Sequence, residues 1–165
     1  MDESEALFAA VRQADAAIAA AAAIHEGAIA TDAKLVVRRT LVVDGWTLAW
    51  KNDVLRSLWL VSHPGLRRGG IRKHPASRAV ILGWRGIGLV QLRGEGARRT
   101  YNLVPLDRGL DAESVHLVEI AADMPYDTMA DMGTWHVLVA HTHAGADLVR
   151  DVPVEEGWRR LPEAT

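Results

Sequence analysis

The feature that most constrains this chain is a change of hydrophobic period near residue 33. Before it, Leu7, Val11, Ala14, Ile18 and Ala21 recur at spacings of four and three, which draws one apolar stripe along a helix. After it, β-branched and aromatic residues alternate with polar ones at period two, the pattern of strands. Helical periodicity does not return in regular alternation with strands, and a doubly wound nucleotide-binding fold needs that alternation. The expected class is α+β: a long N-terminal helix (within residues 1–30) packed on a mostly antiparallel sheet of six to eight strands (34–143). Closure of that sheet into a partial barrel stays open at this stage. Residues 153–165 read as an irregular tail, and the whole of 1–165 as one domain.

Local signals refine this outline. Asp2 followed by Glu5 resembles a capping box, and acids suit the positive end of a helix. Gly27 weakens the helix and Asp32 ends it. Its stripe is mostly alanine, which suits close approach to a sheet, with an oligomer seam as the other reading. Asp44-Gly45 predicts a hairpin turn between residues 34–43 and 46–51, and Asn52-Asp53 a second turn. Further strands are expected at 55–62, 78–83, 87–93, 99–105, 115–120 and 134–142. Residues 124–132 are expected to form a short helix stopped by Gly133.

Cysteine is absent, which excludes disulfides, thiolate zinc sites, iron–sulfur clusters and cysteine nucleophiles, and suits a reducing compartment. The apolar run at 16–24 follows three acids rather than basic residues and is short for a span, so neither a signal peptide nor a membrane helix is expected. The localisation expected is cytoplasmic. Net charge is −2, but nine Lys/Arg stand against Glu95 alone in residues 64–100, and twelve acids against four Arg in 101–165. This asymmetry reads either as an anion-binding face or as two stretches that pair in the fold.

The sharpest chemical signal lies in Trp135-His136-Val137-Leu138-Val139-Ala140-His141-Thr142-His143. On a strand Trp135, Val137, Val139, His141 and His143 share one face, and three of them are large and apolar, so two imidazoles sit at the end of a buried face. Two histidines at this spacing can hold part of a divalent metal site, with His116, Glu119, Asp147 and Asp151 as candidate completions. Equally, they can act as general acid and base with Asp147 as the orienting group. His136 points to the other face. A histidine pair that only hydrogen-bonds backbone is the plain structural alternative.

The His141-Thr142-His143 element after Gly133 resembles the zinc strand of JAMM/MPN-type metalloproteases. Where that family continues with Ser-x-x-Asp, this chain reads Asp151-Val152-Pro153-Val154, and the upstream glutamate has no counterpart. The string His141-x-His143-x-x-x-Asp147 is similar to half of a cupin metal motif, whose second half has no place in the short tail. Each resemblance covers a short stretch, and no function is carried over from either.

A second signal is Ser62-His63-Pro64-Gly65-Leu66-Arg67-Arg68-Gly69-Gly70-Ile71-Arg72-Lys73-His74. Glycines let backbone N–H groups turn inward, and Arg67, Arg68, Arg72 and Lys73 add charge, so the loop suits an anion; a solvated loop is the alternative. Arg67-x-x-Gly70-x-Arg72 loosely resembles the coenzyme A loop of GNAT acetyltransferases but breaks its last position, and Pro75 follows in place of a helix. Among six tryptophans, Trp46 and Trp50 share a strand face, which favours core packing over base stacking. No nucleophile elbow, Walker A loop or dinucleotide fingerprint is present.

Three functions remain in play. The first is a small enzyme centred on His141 and His143, with a divalent metal as a possible cofactor and a small, anionic substrate. The second is an anion-binding module using the basic segment from Arg67 to Arg99. The third is a structural or assembly subunit with a protein partner or a second copy of the chain. The near-neutral charge disfavours nucleic acid.

Overall fold

The computed structural model describes residues 2–32, 36–43, 46–65, 72–74, 77–94, 97–131, 133–142 and 150–151. The N-terminal segment forms two helices, α1 (Glu3–Gln13) and α2 (Asp15–Thr31), in place of the single long helix expected from the stripe. The two axes are bent by 65° at Ala14. At the break Asp15, in the first turn of α2, accepts a hydrogen bond of 3.0 Å from the Trp84 indole. The stripe itself holds, since Leu7, Val11, Ala14, Ile18 and Ala21 are all buried. Asp2 caps α1 by accepting from the Glu5 backbone N–H at 2.8 Å. No single helix among the described residues is long and apolar enough to cross a membrane.

The strands divide into two sheets rather than one. The first holds β1 (Val37–Leu41), β4 (Ser57–His63), β12 (Trp135–His141), β6 (Ala79–Arg85) and β10 (Leu117–Ile120), in that spatial order. The second runs β13 (Arg150–Asp151), β5 (Arg72–Lys73), β11 (Tyr126–Ala130), β7 (Gly88–Gly94), β8 (Ala97–Leu103) and β9 (Ser114–Val115). A small hairpin pairs β2 (Leu48–Trp50) with β3 (Asp53–Leu55) across Lys51-Asn52, where Lys51 takes a positive φ of 53°. Pairing is antiparallel except between β8 and β9 and at the Gly83–Pro105 bridge. Among the described residues the sheets do not close into a barrel.

Several expectations are corrected here. Asp44-Gly45 lies outside the described residues, and β1 pairs with β4, not with the segment after that turn. Residues 124–132 hold strand β11 in place of a short helix. Tyr126, Thr128 and Ala130 alternate inward against β7, and Tyr and Thr suit a pleated surface. Among the described residues the strands fall into sheets of five and six and a two-stranded hairpin.

Two cores result from strand alternation. On one face of the five-stranded sheet, Leu58, Leu60, Leu82 and Leu138 pack under the helices with Trp50 and Trp84. On the other face Trp59, Val61, Ile81, Trp135, Val137 and Val139 meet Val90, Leu103, Tyr126 and Ala130 of the second sheet. The tryptophans are thus core residues, with Trp46 packed partly against the first group; Trp158 lies outside the described residues.

Candidate functional site

Strand β12 decides the geometry, because every one of its residues is buried. Its odd positions face the second sheet and its even positions the helices, the parity read from the sequence. His141 therefore ends the strand inside the inter-sheet space. Its ring stands 4.3 Å from Trp59 and 4.4 Å, edge to face, from His74. His74 follows β5, and its Nε2 shares a 2.6 Å hydrogen bond with the Tyr126 hydroxyl. Further along the same space, His63 Nε2 bonds Thr128 Oγ1 at 2.7 Å and its ring lies 4.9 Å from Trp135. Arg38 of β1 completes this layer, its guanidinium 4.4 Å over the Trp59 ring although only 3% of the residue is exposed.

Three imidazoles, a phenol and a guanidinium thus line a space that otherwise holds large apolar groups. Burial disfavours the charged imidazole, and two rings in contact resist being charged together. The His74 and His141 rings, with the Tyr126 hydroxyl bonded to the first, bring groups able to carry a proton into contact.

On the helix face, the even positions build a separate polar chain. His25 Nδ1 lies 2.8 Å from Ser62 Oγ, Ser62 Oγ lies 2.6 Å from His136 Nδ1, and His136 Nε2 lies 2.9 Å from Glu26 Oε1. His25, Ser62 and His136 are buried, while the Glu26 side chain is half exposed. Burial, with lesser contributions from Arg39 and His136, pulls the His25 pKa from 6.5 down to about 4. Burial also lowers His136, against the opposing pull of Glu26.

The remaining sequence candidates fall elsewhere. His116 Nε2 donates to the Arg108 carbonyl at 2.6 Å, and its ring meets Phe8 edge to face. Glu119 is exposed and pairs with Lys51 at 2.7 Å. Among the described residues no three His, Asp, Glu or Cys side chains come together as a metal cluster. His143, Asp147, Arg67 and Arg68 lie outside the described residues, and of Arg72 and Asp151 only the backbone is described, each paired in a strand. Lys73 is bound to Asp123 at 3.0 Å. Arg93 likewise meets Asp127 at 3.5 Å, so the basic and acidic stretches pair with each other at these two points.

Sequence reasoning missed His74, Tyr126, Arg38 and the Ser62 chain. Two signals were available. His25 continues the buried stripe of α2 through Ile18, Ala21, Ala22 and Ile29. Arg38 shares strand parity with Val36 and Thr40, a pattern that puts a cation on the inward face.

No protein-family model matches the chain, and no curated protein matches it in sequence. Solved structures do share its fold. An oxalate oxidase in complex with the substrate analogue glycolate superposes with a TM-score of 0.52 at 13% identity, over 72% of this chain and 56% of that one. The DMSP lyase DddQ from Ruegeria pomeroyi gives 0.51 at 16% identity, over 74% and 54%. The capsular polysaccharide assembling protein CapF from Staphylococcus aureus gives 0.50 at 10% identity, over 66% and 31%. The chain spans about half or less of the length of these structures. The first two are cupin-like proteins, and at these identities the likeness reaches the fold alone.

Proposed function

We propose that the protein is a small enzyme acting on a small anionic substrate in the space between its two sheets, with His141 and His74 as its acid–base pair. One observation carries this reading: a buried His141 in edge-to-face contact with a buried His74 that is itself bonded to Tyr126 at 2.6 Å. Imidazole is the side chain whose ordinary titration lies closest to neutral pH, which suits it to proton transfer. Arg38 adds a fixed positive charge on the same inner face, which favours an anion there. The substrates named for the cupin-like neighbours are consistent with a small carboxylate, glycolate being the substrate analogue in one of them.

A divalent metal does not fit the described residues on their own. An open catalytic site takes three protein ligands, whereas His141 and His74 supply two imidazoles, one of them engaged with Tyr126. No step is routed through a metal.

The test combines turnover and metal content. A panel of small mono- and dicarboxylates is screened by NMR with the wild type and with a His74→Gln/His141→Gln double variant, and elemental mass spectrometry is run on both. Turnover that disappears in the double variant while Tm holds supports the reading. Unchanged turnover in that variant, or no turnover of any small anion by the wild type, overturns it. Stoichiometric metal lost with the two histidines would recast the pair as ligands.

A further inference from the structure

Helix α2 sits on the five-stranded sheet through an unusual seam. Its buried face offers Ile18, Ala21, Ala22 and Ile29, and alanine removes little apolar area from water. The polar chain from Glu26 to His25 crosses this thin seam, so its state weighs heavily on how firmly α2 is held.

The donors and acceptors in that chain assign themselves. A carboxylate only accepts, so His136 Nε2 carries a proton and donates to Glu26. Neutral His136 then presents a bare Nδ1, and Ser62 donates its single hydroxyl proton there. Ser62 Oγ is left as an acceptor, so His25 donates from Nδ1 and its Nε2 is bare. Bonds run in one direction, from His25 through Ser62 and His136 to Glu26, and with both imidazoles neutral the chain closes with no N–H left over.

We propose that this chain is an acid-operated latch: protonation of its buried imidazoles releases helix α2 from the five-stranded sheet. A proton added to His25 goes to Nε2, which has no hydrogen-bond partner, and orphans a buried N–H. A proton added to His136 goes to Nδ1 and turns the Ser62 hydroxyl round onto His25 Nδ1, which moves the His25 proton to the same partnerless Nε2. The charged neighbours sharpen the response. Arg39 from β1 and His136 across Ser62 act on His25, and Arg85 from β6 acts on His136, all against the charged imidazole. Glu26 on α2 alone favours charge, and it acts on His136. Because the folded His25 value sits far below its ordinary one, the latch is closed at neutral pH. It weakens as pH falls from about 6.5 toward about 4. Release would bare Leu58 and Leu60 of β4 and Leu138 and Ala140 of β12, an apolar surface hidden at neutral pH.

Hydrogen exchange of the full chain at about pH 7 and about pH 5, corrected for intrinsic rates, tests this. Amides of residues 15–31 should lose about tenfold or more in protection at the lower pH, while the β7–β8 hairpin keeps its own. His25→Gln should clearly reduce the loss, leaving the part that His136 contributes. Glu26→Gln, at an exposed side chain, keeps an acceptor for His136 but removes the charge that favours its protonation, so release should move to higher pH. Equal α2 protection at both pH values in the wild type overturns the latch. So does a His25→Gln variant that loses protection as the wild type does, or an unshifted Glu26→Gln. The exposed Glu26 variant keeps the test decisive if His25→Gln fails to fold.

Discussion

Gly88 on β7 and Trp135 on β12 occupy adjoining volume across the two sheets, and a Cβ on Gly88 would overlap three carbons of the indole. The glycine is what lets a fully buried tryptophan lie flat on the second sheet. Gly88→Ala should therefore cost about 1–3 kcal/mol through overpacking. Gly109→Ala, where a Cβ meets nothing within 4 Å, should stay within about 0.5 kcal/mol. Urea unfolding of both variants checks the contrast, and equal midpoints would mean that the indole can shift without penalty.

The junction of α1 and α2 rests on the Asp15–Trp84 hydrogen bond of 3.0 Å, with the Arg85 guanidinium stacked 4.1 Å over the same indole. Asp15→Ala should lower stability by about 1 kcal/mol, with a change in tryptophan fluorescence as the indole N–H loses its acceptor. Asp15→Asn keeps an acceptor and should fall between. A variant as stable as the wild type would show that the bend at Ala14 comes from packing alone.

Parity was the legible part of this fold. Alternation along 135–141 placed Trp135, Val137, Val139 and His141 on one face and His136 on the other, and the stripe from Leu7 to Ala21 marked the buried side of both helices. What the sequence hid was partnership. Nothing local shows that β1 pairs with β4, since that choice is made by residues twenty positions apart. At the bend, Asp15 is bonded to an indole 69 residues away. Strand β11 was obscured because Asp127 and Met129 alternate with Tyr126 and Thr128 on a sheet whose outer face is only partly covered. The candidate site suffered most, because His74 and Tyr126 meet across 52 residues and neither belongs to a motif.

The Tyr126–His74 bond joins two fully buried polar groups, so its loss is not made good by water. Tyr126→Phe keeps the ring packing and removes only the hydroxyl, which should cost about 1–2 kcal/mol. A double-mutant cycle with His74→Phe should return a coupling of about 1 kcal/mol. Additive losses would show that the two groups do not share a proton in solution.

Acid should weaken the whole fold earlier than its carboxylates can explain. His25 is held from 6.5 down to about 4 in the folded chain, so the unfolded chain binds the extra proton first. Stability is full above about pH 6.5 and is lost as pH falls toward about 4, because ν is larger in the unfolded state. By linkage this one group removes about 2 kcal/mol by pH 5 and about 3 kcal/mol at the end of the window. His136, lowered by the same burial, adds to it in the same direction. Asp53 and Asp111 are held below their ordinary values by backbone N–H bonds, so their contribution is lost only in the carboxylate range, at lower pH. Denaturant unfolding at pH 7 and at about pH 5 should therefore differ by about 2 kcal/mol or more in the wild type and by clearly less in His25→Gln. If the two proteins lose the same amount, His25 is not the group that takes up the proton.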